Sequence, residues 1–95
     1  MILNEINTSD IKASYSCDKN INDIAFYGRC IVHKDDEYKE YNSDILTNPT
    51  YKDLLIIANG IIEYTEYWDH HFFEGVEIKG FVVGDIMEID LFLGS

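Results

Sequence analysis

Asn48–Tyr67, NPTYKDLLIIANGIIEYTEY, is the stretch from which the architecture of this chain is read. Asn is a good helix N-cap, and Pro suits the first helical position because its missing N–H has no partner there. Tyr51, Leu54, Leu55, Ala58, Ile61, Ile62 and Thr65 then recur at three- and four-residue spacing, which makes one apolar stripe. The spacing predicts a helix from Pro49 to about Tyr67, with Asp53 near the positive end of its dipole. Gly60 costs that helix about 1 kcal/mol relative to Ala.

The flanking segments read as strands. Upstream, Ile24–His33 (IAFYGRCIVH) is rich in β-branched and aromatic residues on both faces. Gly28 inside it marks a bulge or a close backbone approach. Lys34-Asp35-Asp36 is a turn candidate, and Glu37–Asn42 returns as a second strand. Downstream, Phe72–Lys79 places Val76 and Ile78 inward and Glu77 and Lys79 outward. Gly80 and Gly84 bracket a turn or a short strand, Phe81–Val83. In the last strand, Asp85–Leu93, the residues Met87, Ile89, Leu91 and Leu93 share one face, while Glu88 and Asp90 lie on the other. At the N-terminus, Met1–Ile6 reads as a possible short strand, Ser9 or Asp10 as a turn cap, and Ala13–Cys17 alternates weakly. The expected fold is α+β: an antiparallel sheet of two hairpins on one central helix, ββαββ, with room for an extra N-terminal strand. Ninety-five residues fit one domain, 1–95. A chain this short favours a convex binding surface over a deep cleft.

Charge is the outlying property. Eighteen acidic residues against seven basic ones give −11. Residues 1–52 hold nine acids and six bases, net −3; residues 53–95 hold nine acids and one base, Lys79, net −8. Such a surface repels nucleic acid and anionic membranes and attracts basic proteins. DNA-binding enzymes are the commonest large basic surfaces in a cell. No apolar run approaches the ~20 residues of a membrane span, and no secretory leader is visible. Cys17 and Cys30 lack CxxC spacing and read as reduced thiols of a cytoplasmic protein.

The acids concentrate around Glu63–Glu77, EYTEYWDHHFFEGVE, which contains no Lys or Arg. Glu63, Glu66 and Asp69 fall at the end of the expected helix, where Lys or Arg is preferred. Glu63 and Glu66 are also like charges at i,i+3. Local rules broken without visible compensation tend to mark function, although an earlier helix end would make these plain loop acids. Glu88 and Asp90, two apart on a strand, stand about 6.7 Å from each other on one face. Glu77 is placed to stand beside them across the hairpin. Rows of this kind imitate the phosphates of B-form DNA, which advance about 3.4 Å along the axis per strand. A solvated strand face explains any single pair equally well. Tyr residues between the acids, as in Glu37–Tyr41 and Glu63–Asp69, suit an Arg by salt bridge and ring stacking. The expected partner-binding surface is therefore Glu63, Glu66, Asp69, Glu74, Glu77, Asp85, Glu88 and Asp90. No catalytic residue, cofactor or metal is expected.

A compact, strongly acidic, tyrosine-rich chain of this length, with the Asn48-Pro49 helix leading into DHHFFEG, resembles the small DNA-mimic proteins that phages use against host defence. Within that group it resembles the Arn anti-restriction proteins of T-even-type phages. The resemblance implies an inhibitor, not an enzyme, that occupies the DNA-binding site of a host restriction nuclease. A homodimer would lengthen its DNA-like surface. One rival is an acidic inhibitor of the toxin-immunity or anti-CRISPR type, which binds a basic enzyme without copying DNA. The other is a small metal-dependent hydrolase built on Asp69-His70-His71, whose string is shared with a phosphoesterase family of several times this length.

Overall fold

The computed structural model describes residues 13–35, 39–66 and 69–94. The elements run β1 (Ser14–Tyr15), β2 (Arg29–Asp35), β3 (Glu40–Asn42), β4 (Leu46–Thr47), α1 (Tyr51–Thr65), β5 (Phe72–Val83) and β6 (Ile86–Gly94). The readings placed on Met1–Ile6, Ser9, Asp10, Asp36–Tyr38 and Tyr67 lie outside the described residues.

The fold is α+β, with one helix on a mixed sheet of order β1-β5-β6-β2-β3; β4 also pairs with β2. Both expected hairpin partnerships form antiparallel: β2 with β3, and β5 with β6. The wholly antiparallel sheet does not. The two hairpins join through a parallel pairing of β2 with β6, in which Cys30, Ile31 and Val32 face Met87, Glu88 and Ile89. At the far edge β1 pairs parallel with the start of β5, at Phe72 and Phe73. Parallel neighbours arise here because helix α1 and β5 carry the chain from β2 back to β6 in the same direction.

The helix starts two residues later than its Asn-Pro signature suggests. Thr50 is the N-cap: its hydroxyl accepts from Asp53 N–H at 3.1 Å, and the Asp53 carboxylate accepts from Thr50 N–H at 2.9 Å. Two further N–H groups of the first turn, those of Tyr51 and Lys52, donate to the carbonyls of Asp23 and Ile21. This capping box settles the orphan donors that every helix start carries. Asn48 instead takes a left-handed conformation (φ 48°), and its side-chain oxygen accepts from Gly28 N–H at 2.6 Å.

The same contacts explain why Ile24–His33 is not one strand. Residues 21–25 serve the helix start, with Ala25 N–H on the Pro49 carbonyl and Ile24 bridged to Thr50. The sheet begins only at Arg29. Phe26 and Ala25 still pack on the core, whereas Tyr27 is exposed. The Lys34–Asp35 turn gives way to strand, since β2 continues through Asp35. Where β3 and β4 part, Ser43 fills the gap: its hydroxyl accepts from Val32 N–H at 2.8 Å, and its own N–H donates to the Val32 carbonyl.

The core lies between helix and sheet. Leu54, Leu55, Ala58, Ile61 and Ile62 of α1 pack on Cys30, Val32, Phe73, Ile89 and Leu91. Val76 packs against this core but Ile78, read as inward, is exposed. β5 carries register shifts at 73/75, 78/80 and 81/83, each of which inserts one extra residue opposite β6. The β5–β6 turn is Gly84-Asp85, with Gly84 left-handed at φ 56°; Gly80 lies within β5.

Loss of the cap should be measurable. Thr50→Ala is expected to lower unfolding free energy by about 1 kcal/mol, and Leu54→Ala, fully buried, by about 2–5 kcal/mol. Urea unfolding followed by far-ultraviolet dichroism checks both.

Candidate partner-binding surface

One helix covers one face of the sheet, and among the described residues no element covers the other, so that face can carry charge. Side chains alternate along a strand. With Cys30, Val32, Ile89 and Leu91 buried beneath the helix, alternation and register send Ile31, His33 and Asp35 of β2, Glu88 and Asp90 of β6, Glu77 of β5, and Glu40 and Asn42 of β3 to the opposite face. Glu77 lies directly across from Asp90, Asp35 across from Glu40, and Glu88 across from Ile31. Adjacent strands are about 4.8 Å apart, and i,i+2 neighbours about 6.7 Å. Asp35, Glu40, Glu77, Glu88 and Asp90 thus form an acidic field across four neighbouring strands.

Like charges directly opposite each other repel, and the chain places a cation beside each pair. Lys79 Nζ lies 3.2 Å from Glu77, and Lys34 Nζ lies 3.4 Å from Asp90 while donating to the Leu91 carbonyl at 3.0 Å. His33 stands between Asp35 and Glu40, with Nε2 at 3.5 Å from one carboxylate and Nδ1 at 3.6 Å from the other. The Asn42 side-chain oxygen meets Nδ1 at 2.7 Å, so that nitrogen carries a proton and donates. This bond is the largest cause of a raised imidazole pKa. Burial acts against it, and Glu88, Asp35 and Glu40 add to it. Glu88 has no ion pair among the described residues.

The eight acids singled out in the sequence do not form one surface. Glu77, Glu88 and Asp90 share the uncovered sheet face. Glu74 and Asp85 are exposed at opposite ends of the β5–β6 hairpin; Asp85 pairs with Arg29 at 3.1 Å, and the Glu74 carboxylate lies against Gly94. Glu63, Glu66 and Asp69 are exposed at the helix end. That end has a compensation the local sequence hides. Lys39, from the segment before β3, donates from Nζ to the Tyr64 carbonyl at 2.8 Å and sits 5.2 Å from the centre of the Tyr64 ring. A cation on the last carbonyls of a helix answers its dipole. Helix α1 ends at Thr65, with Glu66 as a left-handed C-cap, so Glu66 and Asp69 are loop acids. Tyr64 also packs edge-on against Tyr41 at 6.1 Å.

Sequence reading missed Asp35, Glu40 and His33 as members of the acidic face. Asp35↔Glu40 was hidden because Asp35 was read as turn. The string Asp69-His70-His71 does not close on itself as the histidine and acids of β2 and β3 do. His70 is exposed, and His71 lies 4.2 Å from the Phe72 ring. Among the described residues, His33, Asp35 and Glu40 are the group whose ligand atoms fall within 4.8 Å of one another. Cys30 is buried in the core, where burial pushes its thiol pKa up and leaves it a poor nucleophile.

Because the folded-state pKa of His33 is raised, its stabilising effect is fully present below the ordinary value of 6.5 and is lost as pH rises through the folded value. The destabilisation caused by His33→Ala should therefore be larger at pH 5.5 than at pH 8. Its C2–H resonance should titrate above 6.5; a midpoint at or below 6.5 contradicts the bridging role. No helix among the described residues is long and apolar enough to cross a membrane. Comparison with protein-family models, with curated proteins and with solved structures gives no match, so the reading of this surface rests on its own chemistry.

Proposed function

We propose that this chain is a DNA-mimicking inhibitor, of the anti-restriction type, that occupies the DNA-binding site of a basic host enzyme such as a restriction nuclease. The observation that carries the reading is the field of Asp35, Glu40, Glu77, Glu88 and Asp90 over four adjacent strands, in a chain of net charge −11. Its repeats of about 4.8 and 6.7 Å are of the order at which DNA presents phosphates. Arg and Lys of the partner would displace Lys79 from its half-exposed pair with Glu77, which costs little to exchange, and would meet the outer oxygens of Asp35 and Glu40, whose carboxylates are exposed beside a largely covered His33. Glu63, Glu66, Asp69, Glu74 and Asp85 would extend the attraction around the rim. The action requires no catalysis and takes place in the cytoplasm, where such nucleases meet DNA.

A second reading has its own support. Four of the five sheet carboxylates already have a cation of this chain beside them, and a surface built purely to copy DNA has no need of these cations. An acidic inhibitor of the toxin-immunity or anti-CRISPR type, complementary in shape to one enzyme, would use local neutralisation to set specificity.

Cleavage assays with purified modification-dependent restriction nucleases separate the two. DNA mimicry predicts inhibition that weakens steeply between 50 and 200 mM salt, by about tenfold or more. It also predicts competition by duplex DNA of arbitrary sequence, and loss of inhibition in Asp35→Asn/Glu40→Gln/Glu88→Gln. Inhibition indifferent to salt and to that triple substitution contradicts an acidic surface altogether. Salt-sensitive inhibition without competition by DNA favours the second reading.

A further inference from the structure

The β5 strand has an open flank. β1 pairs only with Phe72 and Phe73, and among the described residues no strand pairs with the same edge of β5 from Gly75 to Val83. An edge of this length is a template for another strand, and its register shifts and Lys79 restrict it to a partner with matching irregularities. This one carries unusual side chains for a chain so acidic. From Ile78 to Gly84, IKGFVVG, there is no acid, and Ile78, Phe81, Val82 and Val83 are 60%, 70%, 51% and 65% exposed. Beside the first half of this edge lies an open groove of about 260 Å³, lined by Phe26, Val76 and Ile78 and also by the charged Asp18, Lys19 and Glu74.

We propose that β5 pairs antiparallel with β5 of a second copy of this chain, about a two-fold axis at Ile78. The strand is self-complementary. Glu77-Ile78-Lys79 reads as opposite charges around an apolar centre, so antiparallel self-pairing brings Lys79 of each copy beside the partner's Glu77 and sets Ile78 against its own equivalent. Lys79 and Val82 are the extra residues of two register shifts. With these shifts counted, Phe81 falls opposite the partner's Val76, on the helix side of the sheet, and enters the groove beside Phe26. The bare apolar tip of each copy thus covers the apolar part of the other's groove, at Phe26 and Val76. Both contacts are made twice, as an isologous interface requires. Elsewhere two copies of a chain with charge −11 repel; IKGFVVG is where that repulsion is weakest. The pairing leaves the acidic field of both subunits on the same side of one continuous sheet.

Sedimentation equilibrium from 1 to 200 μM, with dichroism as a check on folding, tests this. The wild-type chain is expected to dimerise. Ile78→Asp and Phe81→Asp, at exposed positions, should be folded monomers over the same range. Lys79→Glu should weaken the dimer at least tenfold, and Glu77→Lys/Lys79→Glu should restore it to within about threefold. A wild-type monomer throughout overturns the proposal and leaves the tip free for a different protein. A dimer that survives Ile78→Asp, or that Lys79→Glu does not weaken, also overturns it.

Discussion

The parallel pairing of β2 with β6 is the constraint on which the structure depends. It places Val32 beside Ile89, with Cys30 next in line, and all three are without solvent exposure. It also joins two hairpins that would otherwise be marginal on their own. A single 15-residue helix then seals that side with Leu54, Leu55, Ala58, Ile61 and Ile62. There is no second helix among the described residues to seal the other side. Alternation alone therefore obliges β2, β3, β5 and β6 to present polar residues there, and this chain fills the positions mostly with carboxylates.

That choice has an electrostatic cost which the fold partly offsets. Two like-charged cross-strand pairs, Glu77 with Asp90 and Asp35 with Glu40, sit on one sheet. Each has basic groups at 3.2–3.6 Å, supplied by Lys79 and Lys34 for the first pair and by His33 for the second. The half-exposed Lys79–Glu77 pair contributes little to stability, about 0–1 kcal/mol. The effect of these basic groups is to hold acids close together that would otherwise spread apart. The helix end follows the same pattern, with Lys39 supplying from the β2–β3 connection the cation that the last turn lacks.

Much of this was legible in the sequence. The apolar stripe of α1 and the alternation in Met87–Leu93 follow local periodicities, and both were read correctly. So was the outward face of Glu88 and Asp90. What was not legible depends on residues far apart in the chain. The parallel β2–β6 register cannot be seen in either strand. Residues 21–25 look like strand, but their carbonyls and N–H groups serve the start of α1. Asn48-Pro49 has the chemistry of a helix start, yet Thr50 and Asp53 form the stronger reciprocal cap two residues on. Ile78 does stand on the helix side, opposite Ile89, but β5 there runs beyond the cover of the core and leaves its side chain exposed. The acids Glu63, Glu66 and Asp69 drew notice for standing at the wrong pole of the helix. The structure moves the centre of the acidic surface away from them to the sheet, where Asp35 and Glu40 join three of the acids already singled out.

The central claim is that the uncovered sheet face meets a basic partner. Backbone amide shifts of the ¹⁵N-labelled chain, recorded as a purified DNA-binding nuclease is added, test it most directly. The account predicts the largest perturbations at Asp35, Glu40, Glu77, Glu88 and Asp90, with the amides of Leu54–Ile62 unmoved. Perturbations confined to Glu63, Glu66, Asp69 and the two histidines that follow, with the sheet face silent, would contradict it.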